Sequence, residues 1–222
     1  MGRLHAVLPE NRMRPCFLAL AVALLSSGIL AADTPAASST AQEGQQLPSP
    51  FNAWAVTGER AQHFHDFVTD YGLNPTVAVI ALQAPTSAQD PLTILLQKLN
   101  GMVDANKDAK LGAYAIFLNL DKPFYQDKER EKKVAEIESL SSKQSIASVS
   151  LGLSFPEEEA VKKYGIVTRD DPVNMVKKHQ VTVLVYNKMK VAKRFVFTDD
   201  KKLDEAAIRD ICQTAEKMLP AK

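Results

Sequence analysis

Sulfur is scarce in this chain. Two cysteines, Cys16 and Cys212, stand in 222 residues. Cys16 opens an apolar stretch near the N-terminus, so a domain that leaves that stretch behind carries Cys212 alone. One thiol makes neither an internal disulfide nor a dithiol couple. A surplus of one charge is also missing: 27 Lys and Arg face 26 Asp and Glu, a formal net charge of +1. Residues 1–32 hold three Arg and one Glu, which leaves −1 on the remainder. Nothing in that balance would attract nucleic acid, and no nucleic-acid partner is expected. Gly-rich phosphate loops, HExxH and a diagnostic Ser-His-Asp spacing are absent too. No cofactor and no catalytic residue is therefore expected.

What is present begins with an address. Arg12 and Arg14 precede the apolar run Cys16–Leu25, and small residues follow at Ser26-Ser27-Gly28 and Ala31-Ala32. A basic start, a short apolar core and small residues at a cut site make a secretory signal peptide over residues 1–32. Met13 would give a more compact start. The alternative is an uncleaved helix, the one case in which a membrane contact is expected. Cys16 opens the apolar core, whereas a lipidated cysteine would follow it. Residues 33–50 are small, polar and punctuated by proline, and they read as a flexible linker.

Residues 51–222 are long enough for one domain with its own core. The run Thr76-Val77-Ala78-Val79-Ile80-Ala81-Leu82 is uncharged and rich in β-branched side chains, as expected of a strand covered on both faces. Ala113–Leu118 is a second such strand, and Ser148–Ser154 alternates like a third. Val181–Tyr186 and Val191–Phe197, joined by Asn187–Lys190, read as a hairpin. Residues 51–56 suggest an edge strand. Helices are expected over Gly58–Tyr71, where Phe64, Phe67, Val68 and Tyr71 recur at three- and four-residue steps, and from Asp90-Pro91 to Val103. Others are expected over the charged stretch 127–140, over Pro156–Tyr164, and from about Lys202 to Leu219. Cys212 borders the apolar stripe of the last helix and reads as a buried structural thiol.

Three constellations invite a functional reading. His63 and His65 would face one way on a strand but diverge on the helix expected there, and no third ligand is placed nearby, so no metal site is expected. Asp104-x-Asn106-x-Asp108 opens like a calcium loop but has Ala109 at its sixth position and Ala115 at its twelfth, which makes it a helix-ending turn. Glu157–Glu159 suits the start of a helix.

Strands alternating with helices, then a hairpin and a closing helix, give an α/β fold with a mixed central sheet and helices on both faces. That order resembles the thioredoxin-like superfamily, and its exported, peroxiredoxin-like branch most of all. The likeness is carried by Thr76–Leu82 with its loop and the Asp90–Val103 helix, by Ala113–Leu120, and by Val181–Phe197 with the terminal helix. It implies a Cys-x-x-Cys pair in the loop after the central strand, where a helix N-terminus stabilises a thiolate. Here the loop reads Pro85-Thr86-Ser87-Ala88-Gln89-Asp90. The resemblance also implies a proline just before the hairpin, where Gln180-Val181-Thr182 stands. The expected protein is an exported thioredoxin-fold binding or scaffolding module without a dithiol centre. It would hold an unknown protein partner at Thr86, Ser87, Gln89, Asp90, Val181 and Thr182. The alternative is an oxidoreductase that uses Cys212 with an external thiol.

Overall fold

The computed structural model describes residues 41–118, 127–154, 159–166, 180–198 and 201–220. The leader expected over residues 1–32, the linker up to residue 40 and the expected helix start at Pro156 lie outside them.

The described strands are β1 (Asn52–Ala55), β2 (Phe64–Asp66), β3 (Thr76–Ala81), β4 (Gly112–Leu118), β5 (Ser150–Ser154), β6 (Val181–Asn187) and β7 (Lys190–Phe197). They form one mixed sheet in the order β2-β1-β5-β4-β3-β6-β7. β3, β4 and β5 run parallel, with Val77 beside Ala113 and Ala115 beside Leu151. β1, β2, β6 and β7 are antiparallel to their neighbours. The described helices are α1 (Phe67–Tyr71), α2 (Pro91–Ala105), α3 (Asp127–Lys143), α4 (Glu159–Lys163) and α5 (Glu205–Glu216).

Every residue of β3 and β4 is buried, because both faces of the sheet are covered. On one face Val77, Val79, Ala115, Phe117 and Val185 pack under α2, α3 and α5, through Leu95, Leu96, Ile137, Ile208 and Ile211. On the other face Ala78, Ile80, Tyr114, Ile116 and Tyr186 pack with Phe51, Phe67, Val161 and Tyr164. Alternate side chains of one strand thus belong to different cores. This is the α/β arrangement expected from the sequence, with a mixed sheet between helices.

Three expectations are corrected. The helix over Gly58–Tyr71 shrinks to α1, because Phe64–Asp66 pairs with β1 as β2. Asp66 then caps α1, accepting from the Val68 and Thr69 N–H groups, which fixes the start of the helix just after it. The terminal helix begins at Glu205 behind its own cap, Asp204, whose carboxylate accepts from Ala207 N–H at 2.8 Å. The second half of the expected linker is not free. Residues 44–47 bond along β7, with Gly44 N–H donating to Val191 O and Leu47 N–H to Met189 O, both at 2.8 Å. Polar composition concealed this, because the bonds are made by the backbone and any sequence can supply them.

Candidate functional site

The loop expected to carry function follows the C-terminal end of β3 and enters α2. Pro85 is buried and pins the loop to the fold, whereas Thr86, Ser87, Ala88 and Gln89 are all exposed. Asp90 N–H donates to Ser87 O at 3.3 Å. The hydroxyl of the buried Thr93 donates to the same carbonyl at 2.7 Å. Two donors on one oxygen hold the loop in a single shape, and its exposed side chains sit on a fixed backbone.

Asp90 closes the loop as the N-cap of α2, with Pro91 in the first turn. Its Oδ1 accepts from Leu92 N–H at 2.8 Å. The N-terminal end of a helix favours an anion, and here the chain supplies that anion itself. The Asp90 carboxylate stands where a thiolate would need the same N–H groups, and its charge opposes a second anion beside it.

The loop separates two depressions. On one side Leu82, Thr86, Phe117 and Ile137 line a hollow of about 260 Å³ with Lys133 and Glu136 at its rim. A neighbouring hollow of about 280 Å³ continues past Thr86 to Leu140 and Lys143. On the other side Asp90, Leu92, Val181, Phe197 and Leu203 line a hollow of about 220 Å³, with Lys202 beside it. Apolar floors and charged rims suit a partner that buries aliphatic side chains and presents polar ones.

Of the six residues expected at this site, Thr86, Ser87 and Gln89 form the exposed crest. Asp90 and Val181 share the third hollow. Thr182 is corrected: it is fully buried and its hydroxyl has no hydrogen-bond partner among the described residues. Val181 stands opposite Ala81 and Thr182 opposite Ile80, so consecutive side chains of β6 point to opposite faces, and Thr182 turns away from α2. The sequence reading missed Lys133, Glu136 and Lys143. They belong to a charged run whose spacing gave no sign of which strand ends α3 would cross.

Cys212 lies elsewhere, on α5, packed against the core beneath α2 and only partly exposed. Burial pushes its thiol up from the ordinary range, and the nearby Lys98 charge opposes that only in part. A half-buried thiol in the body of a helix lacks the N-terminal setting that makes thiols reactive.

A larger cleft of about 460 Å³ opens at the other end of the parallel strands, between the loop at Thr57–Arg60 and the start of β5. His65 Nε2 lies 3.3 Å from Asp70 Oδ2 there. The Tyr71 hydroxyl lies 2.9 Å from both Ala113 O and Ser150 Oγ. His65 sits on β2 and not on a helix, which corrects the geometry expected for the His63–His65 pair. Among the described residues no group of three or more His, Cys, Asp or Glu side chains could hold a metal ion. Among the same residues no helix is long and apolar enough to cross a membrane.

No protein-family model matches the sequence, and a search of curated proteins finds no match. Solved structures do match. A peroxidoxin of Mycobacterium tuberculosis aligns with a TM-score of 0.52 at 11% identity, over 81% of this chain and 99% of that one. An uncharacterized conserved protein of Geobacillus kaustophilus aligns at 0.52 and 13% identity, over 82% of this chain and 87% of that one. The thioredoxin domain of a thiol-disulfide oxidoreductase from Bacteroides vulgatus aligns at 0.49 and 10% identity, over 80% and 98%. At such identities the likeness concerns the fold alone.

Proposed function

We propose that this chain, whose fold is that of the thioredoxin-like superfamily, is an exported binding module that holds a protein partner across the loop Thr86–Asp90. It carries out no thiol chemistry there. The observation that carries this reading is the Asp90 cap: a carboxylate holds the helix N-terminus that would otherwise stabilise a thiolate. The loop holds no sulfur, and Cys212 sits on α5 with its thiol pushed up by burial. The contact surface is the crest Thr86, Ser87 and Gln89 with Asp90 and Val181, flanked by Lys133, Lys143 and Lys202. Export rests on the basic and apolar N-terminal pattern.

The first test is turnover. Insulin reduction and peroxide consumption should run no faster with the chain than with reductant alone. Activity that disappears in Cys212→Ser would defeat the reading and favour a second one, in which Cys212 works with an external thiol. The partial exposure of Cys212 and the charge of Lys98 are what support that alternative. The second test places a photo-crosslinking residue at Gln89, which should capture a partner from the exported fraction that unlabelled chain competes away. Equal capture from Lys132, on the outer side of α3, would remove the loop from consideration.

A further inference from the structure

Residues 41–47 form a strap along the outer edge of β7. Gly44 N–H donates to Val191 O at 2.8 Å, Val191 N–H returns a bond to Gln45 O at 2.9 Å, and Leu47 N–H donates to Met189 O at 2.8 Å. Gln46 faces Lys190 in an antiparallel bridge. Side chains add to this ladder. Ala41 is fully buried, and Leu47 packs partly into the core around Tyr186 and Val191. The Arg194 guanidinium donates to Ala41 O at 3.2 Å and to Gly165 O at 3.0 Å. Arg194 N–H donates to the Glu43 carboxylate at 3.2 Å. The edge of β7 is therefore a peptide groove, with a socket for a small side chain, a donor for an acid two residues on, and a seat for an apolar side chain at the end.

None of these contacts depends on which chain supplies the strap. The strap is joined to β1, toward the opposite side of the sheet, only through Pro48, Ser49, Pro50 and the buried Phe51. Both prolines fix φ and lack an N–H, and the chain bends at Ser49 between them. The Tyr164 hydroxyl donates to Ser49 O at 2.7 Å, which fixes the joint from the side of the domain to which β1 belongs.

We propose that the β7 edge binds residues 41–47 of a second copy of this chain, so that two copies join by exchanging straps. The exchange remakes every lost contact in kind, which is why swapped elements are a low-cost route to dimers. Direct pairing of two bare β7 edges is a poorer alternative. A twofold axis would bring Lys190 and Arg194 toward the same residues of the other copy, and like charges across strands repel, whereas Lys193 is already paired with Asp210 at 2.8 Å. The strap brings Glu43 to that edge instead. A short joint keeps a strap at about millimolar effective concentration in its own groove. Monomer therefore prevails at micromolar concentration, and exchange prevails when chains fold together at about millimolar concentration. This inference is independent of the binding function proposed for the loop.

The test uses the full-length chain with Cys16→Ser and Cys212→Ser, to which Gln46→Cys and Lys190→Cys are added. Facing residues of an antiparallel pair lie within disulfide reach. Isotopically light and heavy copies are mixed in urea, refolded and oxidised together at about 1 mM, and only then diluted. The expected result is a dimer by light scattering, in which the 46–190 disulfide joins light to heavy chains in about half of the cross-linked pairs, as random exchange requires. Deletion of residues 41–47 should abolish the dimer, because the strap contacts are the same in monomer and exchanged dimer and only loss of the strap itself prevents exchange. A disulfide found only within single chains after co-refolding overturns the proposal. A dimer that survives deletion of residues 41–47 is held by another surface and overturns it equally.

Discussion

Tyr71 occupies space that a single missing methyl group provides. A Cβ at Gly112 would stand 2.1 Å from the Tyr71 ring, and the hydroxyl of that ring is held between Ala113 O and Ser150 Oγ. A ring fixed at its far end cannot step aside. Gly112→Ala should therefore cost about 1–3 kcal/mol, the usual penalty for overpacking, read as a lower urea midpoint. Combining it with Tyr71→Ala restores room, and the double variant should lose less than the sum of the single losses. The tyrosines around that ring carry a second prediction. Burial raises Tyr71, Tyr114, Tyr164 and Tyr186 above the ordinary phenol value, in each case as the main cause. The fold thus favours their neutral forms. Their contribution to stability is complete below about pH 10, where the unfolded phenols begin to ionise, and is lost as pH rises from there toward the folded values. In an alkaline titration phenolate absorbance should rise together with the loss of circular dichroism. Ionisation of these tyrosines well before unfolding would refute the burial argument.

Elements differ in how openly the sequence announces them. β3, β4 and β6 were legible because strands buried on both faces need uninterrupted apolar runs, and Val77–Ala81 or Val183–Tyr186 offer little else. α2 was legible from Asp90-Pro91, and its cap can be tested. Asp90→Ala should cost about 1 kcal/mol, measurable as a fall of about 2–4 °C in Tm for a domain of this size. An unchanged Tm would mean that the bond to Leu92 N–H is spare. β2 and α1 were misread as one helix because Phe64, Phe67, Val68 and Tyr71 satisfy helical spacing, although Phe64 stands on a strand and is 56% exposed. Asp66 was the available signal, since an aspartate just before Phe67 is a cap. The exposed loop was legible, because Pro85 and Asp90 bracket four exposed residues. Thr182 was a parity error: neighbours on a strand do not share a face. Lys133 and Lys143 were out of reach, as was the strap, whose anchor Arg194 lies some 150 residues beyond Glu43.

The described residues rest on two apolar layers and on no covalent bridge among them. Cys212, the one cysteine among the described residues, is unpaired. Thermal unfolding of the chain from residue 33 onward should give the same midpoint with and without a strong reductant. A lower midpoint under reduction would reveal a disulfide between chains. The two layers also share strands, with Val79 packing into one and Ile80 into the other. Loss of β3 would therefore empty both, and unfolding in urea should be a single transition when followed by Trp54 fluorescence and by far-ultraviolet circular dichroism.

The pairing of β1 with β5 has a consequence for synthesis. Trp54 meets Leu153 and Ala55 meets Gly152, so the β1–β2 hairpin has no sheet to join until about a hundred further residues have left the ribosome. At ribosomal rates of about 5–20 residues per second, that hairpin waits for several seconds with its aromatic side chains bare. A precursor that cannot close early stays threadable for that time, and the arrival of the distant strand rather than local folding sets when this domain first exists.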